Sequence, residues 1–446
     1  MSSLKKLAIT ATIWTLLGYG SSQVLRLGAN LIITRLLLPE VFGLMSLVNT
    51  FIIGLNLFSD LGIVDSIVRH EKGEEKEFYN TAWTLQVIRG FVIWIGSIIM
   101  AYPVSIFYES SSLKLLIPVL GLTSFINGFQ STSLHFLTRH INEKKKIIFN
   151  LLVQILSLLI MIVLAWQIRN VWSLVIANII SSVISTIITH RLIPEVKNYF
   201  YWDKSALEEL FGYGKWIFIS TILTFLAMQT DRLLLGRLFT IELLGIYTIA
   251  FMFADLPVQI IDRLNSSVVF PVVSKMKDLP RITLKQKIIN KRKFLFALAI
   301  LLIALLSSFG DLLITILYDD RYKQAAWMLP ILSIGIWPNL LGVTMRSVQI
   351  GIGKPMYGAY GYLFKFIYMI VLLPLIASQM GILGGIIVIA FNDIPFYIAV
   401  QYGLWRENLM TLKEDFIATI LLFVTITIFI TLRSVLGAGF PLSGIF

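Results

Sequence analysis

The sequence predicts an all-α protein that crosses a membrane many times, and three observations indicate this. First, 57% of the 446 residues are hydrophobic and 14% are charged, whereas an ordinary soluble domain carries about 25% charged residues. Second, the mean hydropathy is +0.83. Third, apolar runs of about 20 residues, the length that crosses a bilayer, recur between charged clusters along the chain.

The apolar runs define about thirteen predicted spans, whose boundaries carry an uncertainty of a few residues. In chain order they are residues 9–38, 41–66, 79–102, 113–138, 147–166, 171–193, 212–238, 243–271, 294–318, 325–349, 357–378, 382–404 and 415–436.

The first span carries a polar stripe. On a helical wheel that turns about 100° per residue, Gln23 and Asn30 fall on the same face as Arg26, near mid-depth. A central arginine costs about 2.5–3.5 kcal/mol on insertion scales, so this face should meet other helices or a water-filled cavity. A secretory signal peptide is the alternative, but the apolar region is too long and no small-residue cleavage site follows it.

Lysine and arginine residues are distributed unevenly between the two sides of the predicted membrane. Most of the 37 basic residues lie in loops on the side of the N-terminus, which predicts a cytoplasmic N-terminus. The net charge of +12 then reflects membrane topology, and we expect no nucleic-acid partner.

Two cytoplasmic connections have distinctive compositions. Residues 194–211 contain four consecutive aromatic residues, Tyr199 to Trp202, which predict an interfacial anchor followed by a helix capped by Ser205. Residues 274–293 are strongly basic, and they either lie on the anionic inner leaflet or form a plain solvated loop.

An internal repeat predicts the domain organisation. The pattern Arg-x4-Glu-x2-Gly occurs at residues 35–43 and again at 237–245, and chance similarity between apolar helices is the alternative. Each copy would begin six spans, which gives two lobes in a parallel repeat. The predicted domains are an N-terminal six-helix lobe over 1–193, a cytoplasmic linker over 194–211, a C-terminal six-helix lobe over 212–404, and one or two extra spans over 405–446.

Several stretches resemble the Wzx-type polysaccharide and O-antigen flippases of the MOP exporter superfamily. They are TRLLLPEVFGL (34–44), FSDLGI (58–63), MQTDRLLLGRLFTIELLGIYTIA (228–250), FPVVSKM (270–276), SSFGDLLITILYDDRYKQA (307–325) and IGIGKP (350–355). The resemblance covers nearly all of residues 1–404 and implies a MATE-like fold of two six-helix lobes around a central cavity. It also implies a flippase in the bacterial inner membrane. Such a protein moves undecaprenyl-pyrophosphate-linked oligosaccharide repeat units to the outer leaflet for surface polysaccharide or lipopolysaccharide assembly.

The resemblance further implies a cationic cavity, in which arginines on the first and seventh spans bind the pyrophosphate. Arg26 and Arg232 are therefore the strongest candidates, and the alternative is that buried aspartates pair with them. The full set of candidate substrate-binding residues is Arg26, Arg232, Arg89, Arg263, Lys365, Asn30 and Gln23.

Carboxylates also fall inside the predicted spans, where they could bind a coupling cation or pair with arginine. The candidates for these roles are Asp60, Asp231, Asp262 and Asp393. We favour structural pairing for Asp60 and Asp262, which precede equivalent ends in the two lobes. Asp393, near Pro395 at a predicted kink, is a candidate proton or sodium site.

Other features are read as structural. Four prolines should kink their spans, namely Pro257, Pro338, Pro374 and Pro395. Arg346 lies close to the inner end of its span, where we expect it to snorkel.

No constellation predicts an enzyme, a cofactor or a metal site. The chain has no cysteine and four histidines, and the histidines lack metal-ligand spacing on one helix face. No nucleophile motif can be assembled, and a polysaccharide polymerase or ligase would need a larger outer loop than the chain provides. We expect a transporter, with coupling to Na⁺ or H⁺ left open.

The alternative function is a cation-coupled drug or metabolite antiporter of the same superfamily, which predicts an acidic cavity. For the flippase, the expected partners are the lipid-linked oligosaccharide, the lipid bilayer and other polysaccharide-assembly proteins.

Overall fold

The computed structural model describes residues 2–60, 62–276 and 279–441, with the backbone alone in short stretches such as 209–220 and 267–276. The described residues form seventeen α-helices, which confirms the all-α prediction. In chain order they are α1 (Ser2–Leu36), α2 (Pro39–Phe58), α3 (Ile63–Arg69), α4 (Lys76–Phe107), α5 (Leu113–Gly128), α6 (Ser133–Arg139), α7 (Glu143–Ile168), α8 (Val171–Leu192), α9 (Lys204–Leu238), α10 (Ile241–Ala254), α11 (Leu256–Met276), α12 (Arg281–Leu317), α13 (Lys323–Gly335), α14 (Trp337–Gly351), α15 (Met356–Ala390), α16 (Ile394–Arg406) and α17 (Leu412–Val435). Short 3-10 turns cover Glu71–Glu74 and Asp320–Tyr322.

Among the described residues, seven helical segments are long and apolar enough to cross a membrane: α2, α4, α7, α8, α12, α15 together with α16, and α17. Three bent pairs raise the number to ten, namely α5 with α6 (63°), α10 with α11 (41°), and Asp320–Gly335 with α14 (41°). The fold is therefore that of a multi-pass membrane protein.

The total of ten is three lower than the thirteen predicted spans. The helix α1 coincides with the first predicted span, but its polar stripe lowers its hydropathy. The helix α9 coincides with the seventh predicted span but is not among the segments counted above. The continuous run Met356–Arg406 covers two predicted spans, which meet at a kink where Gly381 has a φ of 61°.

The chain forms two compact units, Met1–Phe225 and Leu226–Phe446, so the boundary lies inside α9 and not at residues 194–211. The predicted linker belongs to the first unit because its extended backbone is hydrogen-bonded to α4. Alternate N–H groups donate to α4 side chains: Tyr199 to Asn80 Oδ1 (3.0 Å), Tyr201 to Thr84 Oγ1 (3.0 Å) and Asp203 to Thr81 Oγ1 (3.1 Å).

The start of α9 differs from the prediction. Asp203, not Ser205, caps the helix: Asp203 Oδ1 accepts hydrogen bonds from the Ala206 N–H (2.8 Å) and from Ser205 Oγ (2.6 Å). These two bonds lower the pKa of Asp203, because they favour its charged form. The predicted linker helix also runs without interruption into the seventh predicted span.

The last helix, α17, is part of the second unit and packs along α12. A buried ion pair joins the two helices near each end. Arg292 of α12 lies 2.9 Å from Asp415 of α17, and Arg433 of α17 donates to Asp311 of α12 at 2.6 Å. Arg292 falls in the segment predicted to be a solvated or leaflet-bound connection, yet it is 1% exposed, because α12 already begins at Arg281.

Candidate functional site

Three helix breaks in the second unit determine where its polar groups lie. Asp255 separates α10 from α11, Ile336 separates α13 from α14, and residues 391–393 separate α15 from α16. Proline is the second residue of the helix after each break, where its missing N–H leaves no intrahelical hydrogen bond unmade. These prolines are Pro257, Pro338 and Pro395. The fourth proline predicted to kink its span, Pro374, lies inside α15, and Gly381 is the residue of α15 with a non-helical backbone.

All three breaks line one cavity of about 330 Å³. Discontinuous helices commonly build binding sites in membrane transporters, because unwound segments expose polar groups at membrane depth. The cavity is rich in charge, with cationic side chains from Arg232, Arg346 and Lys365 and carboxylates from Asp231, Asp255, Asp262 and Asp393. Its charge is therefore mixed, not purely cationic.

The tightest charge pair of the cavity joins Lys365 of α15 to Asp393 at the third break. Lys365 Nζ donates to Asp393 Oδ1 at 2.7 Å, and the two side chains are 9% and 8% exposed. The pairing satisfies two charges that would otherwise be costly to bury.

Arg232 is held more loosely. Its Nη1 donates to Gln229 Oε1 at 2.9 Å and lies 3.9 Å from Asp231 Oδ1. The guanidinium also lies 5.3 Å from the centre of the Phe251 ring, a cation–π contact. Asp231 contacts two residues: its Oδ1 faces Arg232, and its Oδ2 accepts a hydrogen bond from the Tyr247 hydroxyl.

Arg346 and Asp255 complete the charged lining, and the sequence had not indicated either as a site residue. Arg346 does not snorkel, since its Nη1 donates to the Tyr362 hydroxyl inside the cavity. Asp255 accepts a hydrogen bond from Gln259 Nε2 at 2.7 Å. The sequence could have indicated Arg346 as a cavity residue. Asn339 and Val343 lie seven and three residues before it, which places all three on the same face of the helix.

The first unit contains a second polar cavity, of about 290 Å³, between α2, α4 and the bent pair α5–α6. Its charged lining residues are Asp60 and Arg89, together with His135 as a titratable group. Arg89 donates from Nε to Ser59 Oγ (3.1 Å) and from Nη2 to the Asn56 carbonyl (2.7 Å). Asp60 Oδ1 accepts a hydrogen bond from the Gly62 N–H at 3.0 Å, so it stabilises the turn before α3.

Other predicted site residues line neither cavity. Arg263 is exposed, although the preceding Asp262 lines the cavity of the second unit. Arg26 is exposed on α1, and Gln23 and Asn30 lie half-buried on the same helix. Gln23 Nε2 donates to the Tyr19 hydroxyl at 2.5 Å, a contact within α1.

Comparison with known proteins identifies the family. The family described as "Polysaccharide biosynthesis protein" matches residues 32–327. The chain belongs to this family. The resemblance found in the sequence is therefore confirmed at the level of polysaccharide biosynthesis.

Individual relatives are distant. The teichuronic acid biosynthesis protein TuaB of Bacillus subtilis is 22% identical over 62% of this chain and 57% of its own length. The succinoglycan biosynthesis transport protein ExoT of Rhizobium meliloti is 20% identical over 59% of this chain and 53% of its own length. The chain thus matches little more than half the length of these relatives.

Solved structures identify the fold. An inward-facing multidrug resistance MATE family transporter of the MOP superfamily superposes with a TM-score of 0.66 at 16% identity, over 86% of this chain and 94% of that one. A MOP superfamily transporter from Pyrococcus furiosus, described as having a binding pocket of reverse polarity, gives a TM-score of 0.62 at 17% identity, over 91% and 96%. The predicted MATE-like fold is confirmed.

Proposed function

We propose that this protein is a flippase for lipid-linked oligosaccharides. It would move undecaprenyl-pyrophosphate-linked repeat units from the cytoplasmic to the outer leaflet of the bacterial inner membrane, with its N-terminus in the cytoplasm. The observation that carries the proposal is a cavity with three cationic side chains, built from broken membrane helices, in a chain of a polysaccharide biosynthesis family.

Arg232 is the cation best suited to the pyrophosphate. Among the described residues, its hydrogen bonds use Nη1 alone, which leaves donors on Nε and Nη2 for a phosphate. A guanidinium presents such donors as a planar fork that matches phosphate oxygens. Lys365 could join it only by leaving Asp393, so we expect binding to exchange one ion pair for another. Arg26 on α1 stays a predicted substrate contact.

The membrane potential supplies a driving force. Moving one charge across the membrane is worth about 2.3 kcal/mol per 100 mV. A pyrophosphate with two net negative charges gains about twice that amount when it moves outward, because the cell interior is negative. The carboxylates released from Lys365 and Arg232 would be free to bind Na⁺ or H⁺, which is how we propose that coupling arises.

One observation favours a second candidate function. The carboxylates of the cavity outnumber its cations by one, and an acidic cavity suits a cation-coupled drug or metabolite antiporter. For such a protein, deletion of the gene should raise sensitivity to cationic drugs and leave surface polysaccharide unchanged.

Deletion in the native host tests the proposal. We expect lipid-linked repeat units to accumulate on the cytoplasmic leaflet and surface polysaccharide to disappear. Complementation with Arg232→Gln should fail to restore export, and Arg26→Ala should weaken it, while both variants insert at normal levels. The matched control is Arg321→Gln, which removes a half-buried cation of a 3-10 turn outside both cavities. Normal polysaccharide in the deletion strain would exclude the flippase, and full export by Arg232→Gln would exclude this site.

A further inference from the structure

The cavity of the first unit has a different chemistry from the charged cavity of the second. Apart from Asp60, Arg89 and His135, its polar lining consists of amides and hydroxyls, namely Asn56, Gln86, Thr123, Ser124, Asn127, Gln130 and Ser131. The charges of Asp60 and Arg89 cancel. Its volume of about 290 Å³ lies just below the range of about 300–1,000 Å³ for small-molecule pockets.

Structural hydrogen bonds fix the walls of this cavity. The bend between α5 and α6 frees backbone carbonyls, which need donors inside a membrane protein. Gln86 Nε2 donates to the carbonyls of Gly128 (3.0 Å) and Gln130 (3.1 Å), and Trp83 Nε1 donates to the same Gln130 carbonyl (3.1 Å). The cavity is therefore preorganised, which lowers the entropic cost of ligand binding.

Three side chains of this cavity, Arg89, Asp60 and Asn127, have donors or acceptors that their structural hydrogen bonds do not use. A guanidinium has five N–H donors, and Arg89 uses two of them, one on Nε and one on Nη2. Asp60 uses Oδ1 for the Gly62 N–H, and a carboxylate has about four acceptor sites. Asn127 accepts from Gln130 Nε2 through Oδ1 (3.0 Å), which leaves the two donors of its Nδ2.

This combination selects a class of ligand. A phosphate offers only acceptors at full charge and would meet the Asp60 carboxylate, whereas a cation would meet the Arg89 guanidinium. Each hydroxyl of a sugar both donates and accepts, so it can donate to Asp60 while it accepts from Arg89 or Asn127. A polyol therefore satisfies both charged groups at once, and its further hydroxyls suit the neutral amides and hydroxyls of the lining.

We propose that the cavity of the first unit is a glycan subsite, which binds the hydroxyl groups of a sugar residue through Asp60, Arg89 and Asn127. This inference rests on the proposed function and deepens it, because it assigns the sugar part of the substrate to the first unit. The charged cavity of the second unit remains the proposed pyrophosphate site.

The test is ligand binding to the purified full-length protein in nanodiscs, with a panel of methyl hexopyranosides as probes and saturation-transfer NMR as the readout. We expect at least one methyl glycoside to bind. Loss of one neutral hydrogen bond should weaken that binding about five-fold in Asn127→Ala, and loss of a charged one about ten-fold or more in Asp60→Asn. Asn150→Ala is the matched control, since it removes an exposed asparagine of α7 in the same unit. Its affinity should equal that of the unmodified protein.

Three outcomes would overturn the subsite: no methyl glycoside binds, inorganic phosphate competes with the glycoside at this cavity, or both cavity variants retain full affinity. If Asn127→Ala folds poorly, the isosteric Asp60→Asn carries the test alone. The deletion experiment measures export without reference to these residues. Accumulation of lipid-linked units without glycoside binding would therefore reject the subsite and keep the flippase.

Discussion

The two units build polar cavities in opposite ways. In the second unit, seven charged side chains surround three helix breaks, and the closest ion pair among them, Lys365 with Asp393, lies at one of these breaks. In the first unit, one break is satisfied by neutral donors from Gln86 and Trp83, and the two charges of the cavity cancel.

The difference shows how one membrane protein can have two polar cavities, one suited to an anionic ligand and one suited to an uncharged ligand. Lys365 can bind an anionic ligand only by leaving Asp393, so this ion pair should be functional as well as structural. A network of amides keeps its own hydrogen bonds and offers spare donors and acceptors to an uncharged ligand. The predictions below test whether this division holds.

The largest effects are expected at two buried ion pairs of the second unit, Arg292–Asp415 and Lys365–Asp393. Removing one partner of either pair should destabilise the protein by about 3–5 kcal/mol, because the other charge stays buried alone. Replacing both partners with apolar residues should restore much of that stability.

We expect Arg292→Met with Asp415→Leu to retain polysaccharide export, and Lys365→Met with Asp393→Leu to lose it by about 100-fold. Export and the free energy of unfolding are measured in parallel. Equal export by the two double variants would show that the Lys365–Asp393 pair is only structural.

A smaller effect on the free energy of unfolding is expected from added methyl groups at the helix breaks of the two units. A methyl group added at Gly335 would overlap the carbonyl of Ala390, where the ends of α13 and α15 meet, whereas at Gly128 it would only press on the backbone of α4. We expect Gly335→Ala to cost about 1–3 kcal/mol and Gly128→Ala to cost less.

Gly20→Ala is the control for these two variants, because nothing lies within 4 Å of an added methyl group there. It should stabilise the helix by about 0.5–1 kcal/mol. Chemical unfolding in detergent gives all three values, and a larger loss of stability at Gly128 than at Gly335 would contradict the expected order.

The smallest effect is at the N-terminus of α9, which passes from one unit into the other. The folded pKa of Asp203 is lowered by its bonds to Ser205 and Ala206, so its stabilisation is present above the unfolded pKa and lost as the pH falls through the folded pKa. We expect Asp203→Asn to keep the cap and abolish this acidic pH dependence. Thermal unfolding as a function of pH provides the measurement, and an unchanged pH profile in Asp203→Asn would assign the dependence to another group.

Much of the helical layout was predictable from local sequence. Apolar runs located the helices, and Pro257, Pro338 and Pro395 located three breaks, because proline acts on its own turn of the chain. The sequence also predicted a capping residue at the start of α9, although it favoured Ser205 and the cap is the nearby Asp203. The two-unit boundary was not predictable, since α9 continues through it and only the bonds from residues 199–203 to α4 assign the linker to the first unit.

The sequence by itself determined that this is a helical membrane protein and that several charges lie inside its spans, because hydropathy and charge are properties of each segment alone. Only the tertiary structure decided which charges meet. Lys365 and Asp393 come together across a helix break, Arg292 is drawn out of a predicted connection into a buried pair with Asp415, and Arg263 stays exposed beside a cavity residue. The reason is that burying a charge is favourable only with a partner, and partners distant in sequence are brought together by helix packing, which a linear pattern does not encode.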